Sequence, residues 1–233
     1  MGHLPFYVSL LFELTVAVTI YLFYRAAHAS KTFLVIVTSW VVIQVILGLS
    51  GFYHLSKDVP PKLPLLVGPP TALIIILFLI KKGRLFIDRL SIANLTLIHS
   101  VALLVETVLY FLFVYKYVPK AMTFEGSNFD ILSGITAPII FYFGFVKKQL
   151  NRTVLIAWNL LCLLLVINAS RVAVLSMPNP GLIGAGQPDI ALGLFPYILL
   201  PAVIVPIVLF SHLASIRNLI LQKPLNVQSP ETS

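Results

Sequence analysis

Four ionisable side chains stand inside long apolar stretches of this sequence: Glu13, His99, Glu106 and Arg171, with Gln44, Asn159 and Asn168 as uncharged company. In hydrocarbon a charge costs roughly 2.5–3.5 kcal/mol on insertion scales, so such groups normally face partners or a wet cavity. Thr96, His99, Glu106 and Tyr110 follow one another at intervals of three, seven and four residues. On a helix these intervals nearly coincide in direction, so one stripe carries a hydroxyl, an imidazole, a carboxyl and a phenol. His99 and Glu106 lie about 10 Å apart along the axis, which leaves their connection to water or to another helix. Arg171 is the expected cation for Glu106 or Glu13, unless it reaches out to the surface. The unpaired carboxyl is then the group able to exchange a proton. The rise per residue puts Glu13 and Gln44 about 3 Å outside the midplane of their segments, Glu106 and Asn168 about 6 Å, and Arg171 about 10 Å. These depths predict one polar pocket in the outer half of a helical bundle, built from Glu13, Gln44, Glu106, Asn168 and Arg171.

The elements that position these residues follow from composition. The chain has 233 residues, 59% apolar and only 10% charged, whereas soluble domains carry about 25% charged residues. A soluble globule, a disordered chain, collagen and a coiled coil are excluded on that ground. Seven apolar runs approach the roughly 20 residues that a bilayer-spanning helix needs: 5–24, 32–52, 63–80, 91–115, 129–146, 153–175 and 190–215. Backbone polar groups in lipid must bond within their own segment, so these runs are helices. The expectation is an all-α, single-domain bundle over residues 1–221, followed by a polar tail, 222–233. Prolines 69, 70, 138, 196, 201 and 206 interrupt the third, fifth and seventh runs and predict kinks there. Asp130 and Asp189 stand where a helix N-cap is useful. Cys162, the single cysteine, is expected to be a packing residue.

Charge sets the orientation. Arg25, Lys31, Lys81, Lys82, Arg84, Arg89, Lys147, Lys148, Arg152, Arg217 and Lys223 fall on one side of the seven-span pattern. Only Lys57, Lys62, Lys116, Lys120 and Arg171 fall on the other. Basic loops stay cytoplasmic, so the N-terminus is predicted outside and the C-terminus inside. The first run has no basic residue before it and Arg25 after it, the reverse of a secretory signal, and is expected to be a retained span. The net charge of +8 is explained by topology and anionic lipid, without nucleic acid.

Motifs exclude several activities. A retinal protein needs a Schiff-base lysine in its last span, and 190–215 has none. Ser50 and His54, in SGFYH, resemble the serine-x-x-x-histidine motif of the alkaline ceramidase and adiponectin-receptor superfamily. That superfamily also requires a histidine pair in the last span and an aspartate in the third. Here only His212 occupies the last run and no Asp the third, so no metal site is expected and His54 and His212 are placed at the interfaces. No phosphate-binding Gly loop or nucleophile elbow occurs, and no cofactor is called for. Three stretches, MTFEGSNFDILSGITAP (122–138), FGFVKKQLNRT (143–153) and VPIVLFSHLASIR (205–217), resemble a group of uncharacterised bacterial multi-pass membrane proteins. The resemblance implies a bacterial cytoplasmic-membrane protein and brings no activity with it. The expected function is a small-molecule carrier or ligand-binding membrane protein, proton-linked through His99. The alternative is a non-catalytic membrane partner subunit whose buried polar residues merely specify helix packing, and a membrane-embedded enzyme comes third; a protein partner or a homo-oligomer is left open.

Overall fold

A computed structural model describes residues 4–53, 62–177 and 191–221. His54, Asp189 and the tail from 222 lie outside the described residues. Among those described there are helices and no strands. In chain order they are α1 (Phe6–Ala26), α2 (Lys31–Leu49), α3 (Leu63–Leu79), α4 (Lys81–Asp88), α5 (Ile92–Ile98), α6 (Val101–Val114), α7 (Ile131–Phe141), α8 (Arg152–Leu175) and α9 (Val205–Leu221). A π turn, Tyr142–Val146, extends α7, and another, Leu200–Ile204, leads into α9.

Five helical segments are long and apolar enough to cross a membrane: α1, α2, α5 with α6, α8, and the Leu200–Leu221 unit. A sixth is added if α3 and α4, bent by 91°, count as one broken span, and Ile131–Val146 is a shorter apolar helix. Each of the seven apolar runs therefore has helix over it, with three departures from regularity.

The first departure is the sharp turn from α3 to α4. A Cβ on Gly83 would overlap the Leu77 carbonyl, so only glycine lets α4 fold back against the end of α3. Arg84 donates to Leu79 O at 2.5 Å and Phe78 O at 3.4 Å, satisfying carbonyls that a helix end leaves open. The second is a break in the fourth run. His99, Ser100, Ala102 and Leu103 each donate to the carbonyl three residues back, a tighter winding than the α-helix.

The third departure follows from proline chemistry. Val205 N–H reaches back five residues to Leu200 O, bypassing Pro201. In a regular helix the donor for Ala202 O would come from position 206, which is proline and has none. The Trp40 indole supplies it instead, at 2.9 Å. That bond ties α2 to the last helix.

The last helix is the hub. Of its 18-residue core, 61% is buried, against 17–44% for the other long helices. α8 lies along it, α5 crosses it, and α1 packs on α5 and α6. Basic ends gather at one end of the bundle. Ser91 N–H and the Asn94 amide donate to Ala26 O and Arg25 O. His28 bonds Arg89 O at 2.8 Å, and Arg217 grips Asp88 through two bonds of 2.8 and 3.2 Å. Arg152, at the start of α8, donates to Ile220 O at 2.5 Å.

Candidate functional site

The buried face of α1 is set by Val8, Phe12, Thr15, Val16, Thr19 and Phe23. Glu13 falls on the opposite stripe, with the exposed Phe6, Leu10, Leu14 and Tyr21. On α8 the exposed stripe is Leu160, Leu164, Ile167, Val174 and, among them, Arg171. The five-residue pocket expected from depth is therefore not assembled. Shared level does not imply shared direction: one residue along a helix rotates a side chain by about 100°. Arg171 meets Asn168 Oδ1 at 3.3 Å and, among the described residues, pairs with no carboxylate. Asn168 in turn donates to Ser127 O at 2.7 Å, anchoring α8 to the loop before α7. Gln44 is buried beside Tyr53, its Oε1 without a hydrogen-bond partner among the described residues.

The stripe on the fourth run fares better. Thr96, His99 and Glu106 are all buried despite the break between α5 and α6. Tyr110 is half-buried and stacks on Phe124 with centroids 5.3 Å apart. The two ends of the stripe belong to separate polar clusters.

The first cluster surrounds Glu106. Asn128 donates through Nδ2 to Glu106 Oε1 and to Met122 O, the latter at 3.1 Å. Asn128 Oδ1 accepts from Asp130 N–H at 3.2 Å. Asp130 occupies the N-cap position of α7, as the sequence suggested. Its carboxylate accepts from the Ser133 hydroxyl at 2.7 Å and makes no bond to a helix N–H. Glu106 and Asp130 are close enough to feel each other's charge. Among the described residues no Lys or Arg pairs with either; the two ion pairs are Lys120–Glu125 and Arg217–Asp88. Glu106 Oε2 is buried and has no hydrogen-bond partner among the described residues, although the Phe124 backbone N–H approaches the carboxyl.

Glu106 belongs to the lining of a pocket of about 330 Å³ bounded by α3, α6, α8 and the 200–209 segment. Glu106, Asn128, Asp130 and Ser170 supply its polar groups. The rest is aliphatic, including Val105, Leu109, Val166 and Ile204. An apolar chamber with a few convergent polar groups is the usual form of a small-molecule site, at the small end of the roughly 300–1,000 Å³ range. The π turn contributes Leu200, Pro201 and Ile204 to the wall. A regular helix would present a different set of side chains there.

The second cluster centres on His99 and His212. Their rings stack in parallel, centroids 3.6 Å apart and planes 9° off. His212 Nδ1 meets Asn159 Oδ1 at 3.1 Å, and Asn159 Nδ2 donates to Leu155 O. Trp158 sets its edge against His99 and donates to Thr136. Among the described residues, both nitrogens of His99 and His212 Nε2 lack hydrogen-bond partners. His212 is thus fully buried, a correction to its expected interfacial position. Parallel imidazoles aim their lone pairs side by side, not at one common point as metal ligation at about 2.0–2.1 Å demands. Among the described residues no group of three or more His, Cys, Asp or Glu side chains could hold a metal ion. Cys162 is buried beside Ala137 and Trp158, in the packing role expected of it.

Asn128, Asp130 and His212 are among the side chains that sequence reasoning did not place in a site; Asp130 was expected only as a helix cap. A polar ladder of Ser211, His212, Ser215 and Asn218 at helical spacing on α9, all buried, was the available signal for His212. Asn128 sits in an irregular loop and gave none.

These features define an all-helical protein with an acidic, mostly aliphatic, half-open pocket. The chain belongs to a family described as a domain of unknown function, DUF8737, whose model matches residues 60–220. The matched stretch contains both polar clusters and leaves out α1 and α2. No curated protein and no solved structure matches the chain.

Proposed function

We propose that the protein is a seven-helix membrane protein of the bacterial cytoplasmic membrane, N-terminus outside, that binds and carries a small amphipathic molecule. The observation that carries this reading is Glu106, whose buried Oε2 has no hydrogen-bond partner among the described residues, in the lining of a mostly aliphatic pocket that also holds Asn128 and Asp130. Two adjacent acids without a cation favour a ligand whose head donates hydrogen bonds or carries positive charge. Its apolar body would occupy the aliphatic remainder. Glu106 is then the proton-exchanging contact, and Asn128 and Ser133 are positioning residues that hold the two carboxyls. The topology is supported by the gathering of Arg25, Arg89, Arg152 and Arg217 contacts at one end of the bundle, because basic residues are retained in the cytoplasm.

The test compares octylamine, octanol and octanoate, three probes of one chain length, by calorimetric titration of the purified protein. Saturable binding in the order amine, alcohol, carboxylate is expected, with the amine preference lost in Glu106→Gln. Absence of saturable binding by all three, or the same preference in the variant, rejects the reading. The alternative of a partner subunit is favoured by one observation: Glu13 stands exposed on an apolar stripe of α1, where a helix from another chain would give it a donor. Loss of a co-purifying membrane protein from Glu13→Leu, with probe binding absent in both forms, would select that alternative.

A further inference from the structure

A second cavity, of about 850 Å³, lies between α2 and α3, floored by the 202–210 segment. Its walls are apolar: Val35, Ile36, Ile43, Leu73 and Ile74 among them. Val35, Ile36, Ile43 and Leu73 are exposed, so the groove opens sideways, away from the bundle. Trp40 lines it and is locked by its bond to Ala202 O.

Polar groups collect at one end of the groove, where α2 begins and α3 gives way to α4. Ser30, Thr32 and Lys82 line that end, and the exposed Lys31 stands between the first two in sequence. Lys81 is exposed beside Lys82. None of these three lysines forms an ion pair among the described residues. Asp88, the acid of α4, is engaged by Arg217, and Arg84 is engaged by the end of α3. The net result is an apolar slot with unneutralised positive charge at one mouth.

We infer that this groove is a binding site for an anionic phospholipid, one acyl chain lying between α2 and α3 and the phosphate held by Lys82 beside Ser30 and Thr32. A long aliphatic slot matches a chain, and a basic end matches a phosphate monoanion. A zwitterionic headgroup gains less there, because its own ammonium meets the same lysine. The site is separate from the Glu106 cavity, and it rests on the membrane placement proposed above.

Trp40 provides the readout. Wild type and Trp40→Phe are reconstituted in phosphatidylcholine vesicles containing equal small fractions of acyl-brominated phosphatidylglycerol or acyl-brominated phosphatidylcholine. The difference between the two proteins reports quenching at Trp40, since Trp158 is common to both. Basic residues near a membrane surface favour anionic lipid by roughly five-fold each. The expected result is about a five-fold preference for the brominated phosphatidylglycerol, falling to near unity in Lys82→Gln. Equal quenching by the two lipids in wild type, or an unchanged preference in Lys82→Gln, overturns the site. Wild-type protein released from mixed vesicles into a native mass spectrometer gives a second measure that needs no tryptophan variant. Phosphatidylglycerol should be retained over phosphatidylcholine, and equal retention also overturns the site. Failure of wild type to insert into any vesicle overturns the membrane placement and the lipid site together, whereas insertion without selectivity overturns the lipid site alone.

Discussion

Asn128 is the keystone of the acidic cluster, and its removal has a calculable consequence. Its side chain makes three hydrogen bonds, to Glu106 Oε1, to Met122 O and from Asp130 N–H. It is 4% exposed, so water does not replace it. A net hydrogen bond contributes about 1 kcal/mol, and an orphaned buried acceptor costs about 1–3 kcal/mol. Asn128→Ala should therefore destabilise the protein by about 3 kcal/mol. The share owed to Glu106 is separable. In a Glu106→Leu background the same truncation loses only the Met122 and Asp130 bonds, for about 1–2 kcal/mol. The coupling between the two sites should thus be at least about 1 kcal/mol. Hydrogen bonds between membrane helices average about 0.6 kcal/mol in such cycles, because the unfolded chain in lipid finds other partners. Glu106 should exceed that average, since its second oxygen is already unpartnered. The measurement is sodium dodecyl sulfate titration in mixed micelles, followed by circular dichroism, for wild type, both singles and the double. A coupling below about 0.3 kcal/mol would show that Asn128 does not hold Glu106.

Three further outcomes follow from the packing. Gly134→Ala places a Cβ 2.5 Å from Leu103 N and 3.1 Å from its Cα; backbone cannot yield locally, so α6 and α7 must separate, at about 1–3 kcal/mol in the same titration. His99→Phe preserves the stack and removes two unpartnered nitrogens, so it should be at least as stable as wild type. His212→Phe loses the bond to Asn159 and should cost about 1–3 kcal/mol; equal losses for the two variants would mean that His99 has a partner of its own. Arg171→Gln, on the exposed stripe of α8, should shift stability by no more than about 0.5 kcal/mol, and a loss matching that of Asn128→Ala would contradict its placement away from the carboxyl cluster.

Much was legible without coordinates. The density of apolar residues marked seven helical stretches, because a chain this poor in charge has no other way to satisfy its backbone. The alignment of Thr96, His99 and Glu106 on one buried face was readable from spacing alone, as helical periodicity survives a single tightened turn. The clustering of arginines at one end agrees with a count of basic residues by loop. The inward or outward direction of an isolated charge was not readable. Glu13 and Glu106 are the same residue type at similar expected depth, yet one lies on an exposed stripe and the other in the lining of a pocket. The partners were equally hidden: Asn128 reaches Glu106 from 22 positions away, and His212 meets His99 from the far end of the chain. Composition and periodicity act along the chain and fix the elements. Which faces meet depends on how the helices rotate and cross, and prolines 201 and 206 and Gly83 set that locally while packing on α9 sets it globally.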